Sequence, residues 1–183
     1  MFRRVCVVMC IVICTSAALA AGDNLNIRDY GARGDGKTRD TKAIQTAIDA
    51  CSAAGGGTVT VPPGEYLSGQ FSMKSGVILY LDAGATIHAS ADTLDYTRMR
   101  VGGDAQTHFI LAKNASKFGI AGPGRILGNG TEYLQSDIRP DFRVGTIWFD
   151  NCRDVFLRDF TIEYSDTWTV VLLKCERVVV DGI

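Results

Sequence analysis

The spacing of apolar residues changes twice along this chain. Residues 5–14 form an unbroken apolar run behind Arg3 and Arg4. Farther on, Ala43, Ile44, Ala47, Ile48 and Cys51 recur at three- and four-residue steps, as the buried face of a helix does. Asp40 stands where an N-cap is preferred and Ala53-Ala-Gly-Gly-Gly57 supplies a stop, so the pattern predicts a helix over 40–52. Beyond Gly57 the period shortens. Residues 58–61, 77–81, 109–111, 146–149, 155–157 and 170–173 are short β-branched or aromatic runs punctuated by Gly, Asn and Asp, which predicts strands.

Two of these runs belong to a repeat. Asn151-Cys-Arg-Asp-Val-Phe-Leu-Arg-Asp-Phe-Thr-Ile162 aligns with Lys174-Cys-Glu-Arg-Val-Val-Val-Asp-Gly-Ile183. Cys152 falls on Cys175, Val155 on Val178, Leu157 on Val180 and Phe160 on Ile183, an offset of 23 residues. Asn114-Ala-Ser-Lys-Phe-Gly-Ile120 is a fainter copy, with Phe118 on Val155 and Ile120 on Leu157; an insertion over 128–145 accounts for its wider gap. A period in the twenties with two short strands per unit and no helix predicts a β-solenoid. Its coils would stack about 4.8 Å apart, so that inward positions form ladders. The predicted helix would cover the apolar end of the first coil. Cys152 over Cys175 would be one rung; parallel stacked Cβ vectors suit a disulfide poorly, so buried thiols are expected.

The N-terminal run changes what the composition means. Arg3 and Arg4, a short apolar stretch and the small-x-small ending Ala18-Leu19-Ala20 predict a signal peptide over 1–20, cleaved between Ala20 and Ala21. The run is too short to span a bilayer. Residues 21–183 then read as one domain, secreted to an extracellular or periplasmic space. Removing the segment lowers the basic count from 19 to 17 against 20 acidic groups, a net charge of −3. No basic field recruits nucleic acid, and no membrane association is expected after cleavage. Cys51, Cys152 and Cys175 remain, too few for a disulfide scaffold and without a CxxC pair for zinc.

Asn26-Ile-Arg-Asp-Tyr-Gly-Ala-Arg-Gly-Asp-Gly36, continued through the helix and Gly55-Gly-Gly-Thr-Val-Thr-Val-Pro-Pro-Gly-Glu-Tyr66, resembles the opening of pectin lyase-like β-helix proteins. Gly122-Pro-Gly-Arg-Ile-Leu-Gly-Asn-Gly130 and Ile162-Glu-Tyr-Ser-Asp-Thr-Trp-Thr-Val-Val-Leu-Leu-Lys-Cys175 resemble glycoside hydrolase family 28, the polygalacturonases. Arg39 departs from the pattern, which has Asp there. The resemblance implies an all-β, right-handed, single-stranded parallel β-helix with an N-terminal capping helix. It further implies a monomeric enzyme that hydrolyses pectic polysaccharide with inversion and uses no cofactor. Inversion needs two carboxyls about 6.5–9.5 Å apart. The family carries them in an Asn-Thr-Asp segment and an Asp-Asp pair, aided by a His-Gly segment and an Arg-Ile-Lys segment. None of the four is present; Arg125-Ile126-Leu127 lacks the lysine. The chain therefore reads as the N-terminal portion of such an enzyme, truncated before its catalytic residues and inactive by itself.

The remaining candidates are few. Trp168 and Tyr164 flank a turn and offer aromatic faces for stacking on a sugar. His88 and His108 have no partner motif and read as structural or surface residues. Asp35 and Asp40 lack the further oxygens of a calcium loop and read as turn and cap residues. Asp159 and Asp181 fall on different rungs and read as solvated turn residues. Asn114-Ala-Ser116 and Asn129-Gly-Thr131 match the glycosylation triplet. A pectate-lyase-like eliminase and a non-catalytic carbohydrate-binding or adhesion β-helix are the rival readings.

Overall fold

A computed structural model describes residues 24–101, 104–130 and 142–183; the expected signal segment with Ala20 and Ala21 lies outside them. The chain enters through β1 (Asn24–Asn26), β2 (Asp35–Arg39) and α1 (Thr41–Ala53). The first full coil is β3 (Gly57–Val61), β4 (Gly64–Ser68) and β5 (Phe71–Ser72). The second is β6 (Val77–Leu81), β7 (Ala85–Ala89), β8 (Met99–Val101) and β9 (Asp104–Lys113). The third is β10 (Ser116–Ala121), β11 (Arg125–Leu127) and β12 (Val144–Asp150). The fourth is β13 (Arg153–Arg158), β14 (Thr161–Glu163) and β15 (Val170–Leu173), and β16 (Glu176–Asp181) lies on top. The strands form three parallel sheets, β1-β3-β6-β10-β13-β16, β2-β4-β7-β11-β14 and β5-β9-β12-β15, with β8 antiparallel on β9. This is the expected parallel β-helix. Each coil holds three strands, however, not the two read from the repeat, because the second sheet's strands carry no apolar run.

The predicted register holds. Phe118 and Ile120 pair with Val155 and Leu157, which pair with Val178 and Val180. Leu25, Val59, Leu79, Ile120, Leu157 and Val180 thus make one inward ladder of the first sheet. Tyr66, Ile87, Ile126 and Ile162 make that of the second. Phe71, Ile110, Ile147 and Val170 make that of the third. Each fully buried aliphatic removes enough apolar surface to contribute about 1.5–3 kcal/mol. The predicted helical face (Ala43, Ile44, Ala47, Ile48 and Cys51) is buried against the first coil.

Asp40 is a correction. It occupies the N-cap position, but its carboxylate makes no bond to the helix. It is buried and accepts the amides of Arg33 (2.8 Å) and Gly34 (3.0 Å), closing the glycine-rich turn. Asp35 does act as a turn residue. Its carboxylate accepts the Thr38 and Lys37 amides and the Thr38 hydroxyl, which hold its pKa down at about 2.

The corner between the third and first sheets is built from left-handed residues that are not glycine. Asn114, Asn151 and Lys174 have φ of 54°, 53° and 51°, and three residues on Lys117, Asp154 and Arg177 have φ of 56°, 55° and 52°. Identical backbone on successive coils lets the amides stack, and Asn151 Nδ2 donates to Asn114 Oδ1 at 2.6 Å. Cys152 is buried and free, and Cys175 above it is free and half-buried. Burial is the main cause of the raised Cys152 pKa.

Candidate functional site

Alternation sends the second sheet's polar residues outward. Glu65, Thr86, Arg125 and Thr161 share one outer rung, and Leu67, His88, Leu127 and Glu163 share another. Polar side chains meet diagonally across these rungs. His88 Nε2 meets the Glu65 carboxylate, and the Arg125 guanidinium meets Glu163. The Glu163 bond is the main cause of the raised Arg125 pKa, and Glu65 and Tyr164 add to it.

Beside His88 lies a groove of about 380 Å³ whose lining includes Arg39, Leu67, His88, Ser90, Asp92 and Asn129. Arg39, the departure noted in the sequence, explains itself here. Its guanidinium bonds Asp92 at 2.7 Å and Asp95 at 3.0 Å, and Asp92 also accepts the Leu94 amide at 2.9 Å. One arginine on β2 thereby anchors the excursion that leaves the second coil after β7. Asn129 completes the wall by donating its side-chain amide to the Ala89 carbonyl.

Tyr164 and Trp168 lie on the turn between β14 and β15, 60 % and 67 % exposed. That turn is held from below. Gly130 N donates to the Tyr164 carbonyl at 2.6 Å and Thr146 N to the Trp168 carbonyl at 3.0 Å. The buried Asp166 carboxylate accepts Arg143 Nε and the Val144 amide, both at 2.9 Å. The two aromatics therefore project from a fixed backbone. Beneath them His108 is 1 % exposed and stacks on Trp148, with ring centroids 5.4 Å apart and an interplanar angle of 15°. A Cβ at Gly145 would lie 2.5 Å from His108 Nδ1 and 3.2 Å from the Trp168 carbonyl, so only glycine fits between ring and turn. Burial pushes the His108 pKa down to about 4.

The aromatic pair was visible in the sequence; the charged face was not. Glu65 and His88 are 23 residues apart, Arg125 and Glu163 are 38 apart, and Arg39 and Asp92 are 53 apart, so only the coil register brings them together. Alternation within 64–68 and 85–89 was the available signal. Chemically, this face suits recognition of a polar, hydroxyl-rich ligand. Glu65, Glu163, Asp92, Asp95 and Asp166 are each engaged by an imidazole or a guanidinium. Asp35 and Asp154, whose pKa values are displaced, are displaced downward, the wrong direction for a general acid.

Comparison with known proteins gives matches of three kinds. The chain is 36 % identical over 132 residues, 63 % of its length, to an exo-poly-α-D-galacturonosidase of Dickeya chrysanthemi, of which it covers 21 %. It is 56 % identical over 55 residues, 30 % of its length, to alginate lyase 7 of Azotobacter vinelandii, of which it covers 6 %. A family 28 exopolygalacturonase of Yersinia enterocolitica superposes with a TM-score of 0.77 at 26 % identity, over 88 % of this chain and 38 % of that one. The chain thus spans about a fifth or less of these two curated relatives. The family model described as rhamnogalacturonase A/epimerase, pectate lyase-like, matches residues 24–169. The coil, its register and this match agree: the chain belongs to the rhamnogalacturonase A/epimerase, pectate lyase-like family.

Proposed function

We propose that this chain is the substrate-gripping part of a secreted β-helix glycosidase of polygalacturonase type that acts on pectic polysaccharide. The carrying observation is that paired charges, a polar groove and two exposed aromatics occupy one side of the coil, in a chain similar to an exo-poly-α-D-galacturonosidase. A sugar ring stacks on Trp168 or Tyr164, while hydroxyls and carboxylates meet the paired charges of the second sheet. Inverting hydrolysis needs one protonated carboxyl and one carboxylate held about 6.5–9.5 Å apart. The carboxylates of this face are bonded to cations or to His88 instead, so the chain contributes binding, not bond cleavage. Purified chain is expected to bind oligogalacturonate, read as a change in tryptophan fluorescence, and to release no reducing ends from polygalacturonate. Release of reducing ends overturns the division of labour, and absence of binding overturns the substrate class. Export is checked by N-terminal sequencing of the secreted protein, which is expected to begin at Ala21.

The alginate lyase match favours a second reading, elimination on a uronate polymer. Unsaturated product ends, which absorb in the ultraviolet, distinguish it from hydrolysis.

A further inference from the structure

The corner opposite the second sheet, where the third sheet turns into the first, carries an excess of positive charge in a chain whose formal charge is −1. Stacking brings a cation to every level. Lys74 follows β5, Lys113 ends β9, Lys117 lies on β10, Arg153 on β13, Lys174 follows β15 and Arg177 lies on β16; all six are exposed. Against these six stand Asp49, 3.7 Å from Lys74, and Asp150, Asp154 and Glu176. Arg177 is held by Asp154 at 2.8 Å, and Arg153 reaches Glu176 at 3.5 Å. Lys113, Lys117 and Lys174 form no ion pair within 4 Å of a described carboxylate, although Lys113 stands in register with Asp150 and Lys117 helps lower the Asp154 pKa. Between them runs a polar groove of about 250 Å³ whose lining includes Asn114, Ser116, Asn151, Arg153, Lys174 and Glu176.

Like charges at the coil spacing of about 4.8 Å repel one another within a Debye length, and a counter-charge of matching linear form relieves that repulsion. We propose that this corner is a second binding site for an anionic polysaccharide strand, laid along the stacking axis and separate from the face that carries Trp168. Carboxylates of the strand meet Lys113 and Lys117 at one corner turn and Lys174 two turns above, with Arg153 on the turn between. Its hydroxyls meet the Asn114 and Asn151 amides, whose left-handed backbone fixes them in register. The inference rests on the uronate substrate proposed above and adds a contact that tethers the protein to polymer without occupying the groove beside His88.

Native electrophoresis of the full chain through gels cast with polygalacturonate tests it. Retardation is expected, weakening as salt rises, and absent in gels of fully methyl-esterified pectin, where the carboxylates are masked. The triple variant Lys113→Gln, Lys117→Gln, Lys174→Gln is expected to lose about tenfold or more in affinity for polygalacturonate, equivalent to about 1.4 kcal/mol. Its fluorescence response to trigalacturonate, a probe for the Trp168 face, is expected to stay at the wild-type value. Equal retardation of variant and wild type, or none of either, overturns the second site. Loss of the trigalacturonate response in wild type would instead overturn the groove reading. An unchanged thermal melt shows that the triple variant is folded.

Discussion

The first and second sheets are wound from the same coils and face the same core, yet they differ in what they turn outward. Inside, Val59, Leu79, Ile120 and Leu157 of one sheet and Tyr66, Ile87 and Ile126 of the other are all fully buried. Outside, β3, β6 and β10 present Thr58, Thr60, Ile78, Tyr80, Gly119 and Ala121, with Arg158 and Asp181 following on β13 and β16, whereas β4, β7, β11 and β14 present Glu65, His88, Arg125 and Glu163. A parallel coil constrains its inward ladder tightly, because each side chain packs on those of the coils above and below. The outward residues face no such demand. The charged pairs of the second sheet are therefore free to be chosen for a ligand, and the comparison predicts that stability and binding separate by face.

The largest expected effect is on the inward side. Phe149 packs edge-on against Phe118, with ring centroids 5.0 Å apart, and is completely buried. Phe149→Ala should cost about 3–5 kcal/mol of unfolding free energy in a urea titration. His88→Ala on the second sheet's outer face should cost under about 1 kcal/mol, since a partly exposed polar pair contributes little. Losses of similar size at both positions would break the comparison.

The same contrast governs what could be read from the residues alone. The first and third sheets announce themselves through runs such as Val77-Ile-Leu-Tyr-Leu81 and Val170-Val-Leu-Leu173, which β6 and β15 match end to end. The repeat then gave the register of the first sheet, because Cys152, Val155 and Leu157 recur 23 residues later. The second sheet stayed hidden. Its strands hold at most two large apolar residues each (Tyr66-Leu67, Ile87, Ile126-Leu127, Ile162), which leaves no run to detect. Tyr164 and Trp168 were legible because two large aromatics in a polar turn are unusual. The groove was not, since its walls come from coils far apart in sequence. Asp40 shows a subtler limit: its position was read correctly, but the nearby Arg33 and Gly34 amides draw the carboxylate away from the helix.

His108 sharpens the comparison in the third sheet, where a titratable ring is buried like a core residue. Its folded-state pKa is about 4 against an ordinary 6.5. As pH falls below 6.5 the unfolded chain takes up a proton that the folded chain refuses. Stability is therefore complete above the ordinary value and declines until the folded pKa is reached. The loss amounts to about 3 kcal/mol by linkage. His108→Leu removes this component, so the difference between wild-type and variant stability should change by that amount between pH 7 and pH 4. A constant difference would mean that His108 is solvated.

Asp166 stands between the two faces, with a buried carboxylate and an exposed turn around it. Asp166→Ala strips the Val144 amide and Arg143 Nε of their carboxylate partner, leaving Arg143 only the Asp166 carbonyl. Leaving a buried donor unpaired should cost about 1–3 kcal/mol. Because the turn carries both aromatics, oligogalacturonate affinity should fall with it. Asp166→Asn retains one acceptor oxygen and should recover part of each loss. Affinity that is unchanged in Asp166→Ala would show that the turn keeps its shape without this clip.

The smallest stability effects belong to Tyr164 and Trp168, where the separation of faces is tested most directly. Trp168 is 67 % exposed, so Trp168→Ala should shift unfolding free energy by no more than about 0.5 kcal/mol. The same substitution should weaken oligogalacturonate binding about tenfold, the order expected when an aromatic stacking platform worth about 0.5–1.5 kcal/mol is lost together with its buried area. Tyr164 adds a sharper contrast, because its φ is 54°, a conformation that costs a residue with a Cβ about 1–2 kcal/mol. Tyr164→Gly removes that strain and gains chain entropy in the unfolded state, two opposing terms of similar size. Its stability should thus match wild type while its affinity falls. Tyr164→Phe keeps ring and strain alike and should retain most of the affinity. If Tyr164→Gly bound as tightly as wild type, the ring would not be part of the binding face, and Trp168 would have to supply the stacking alone.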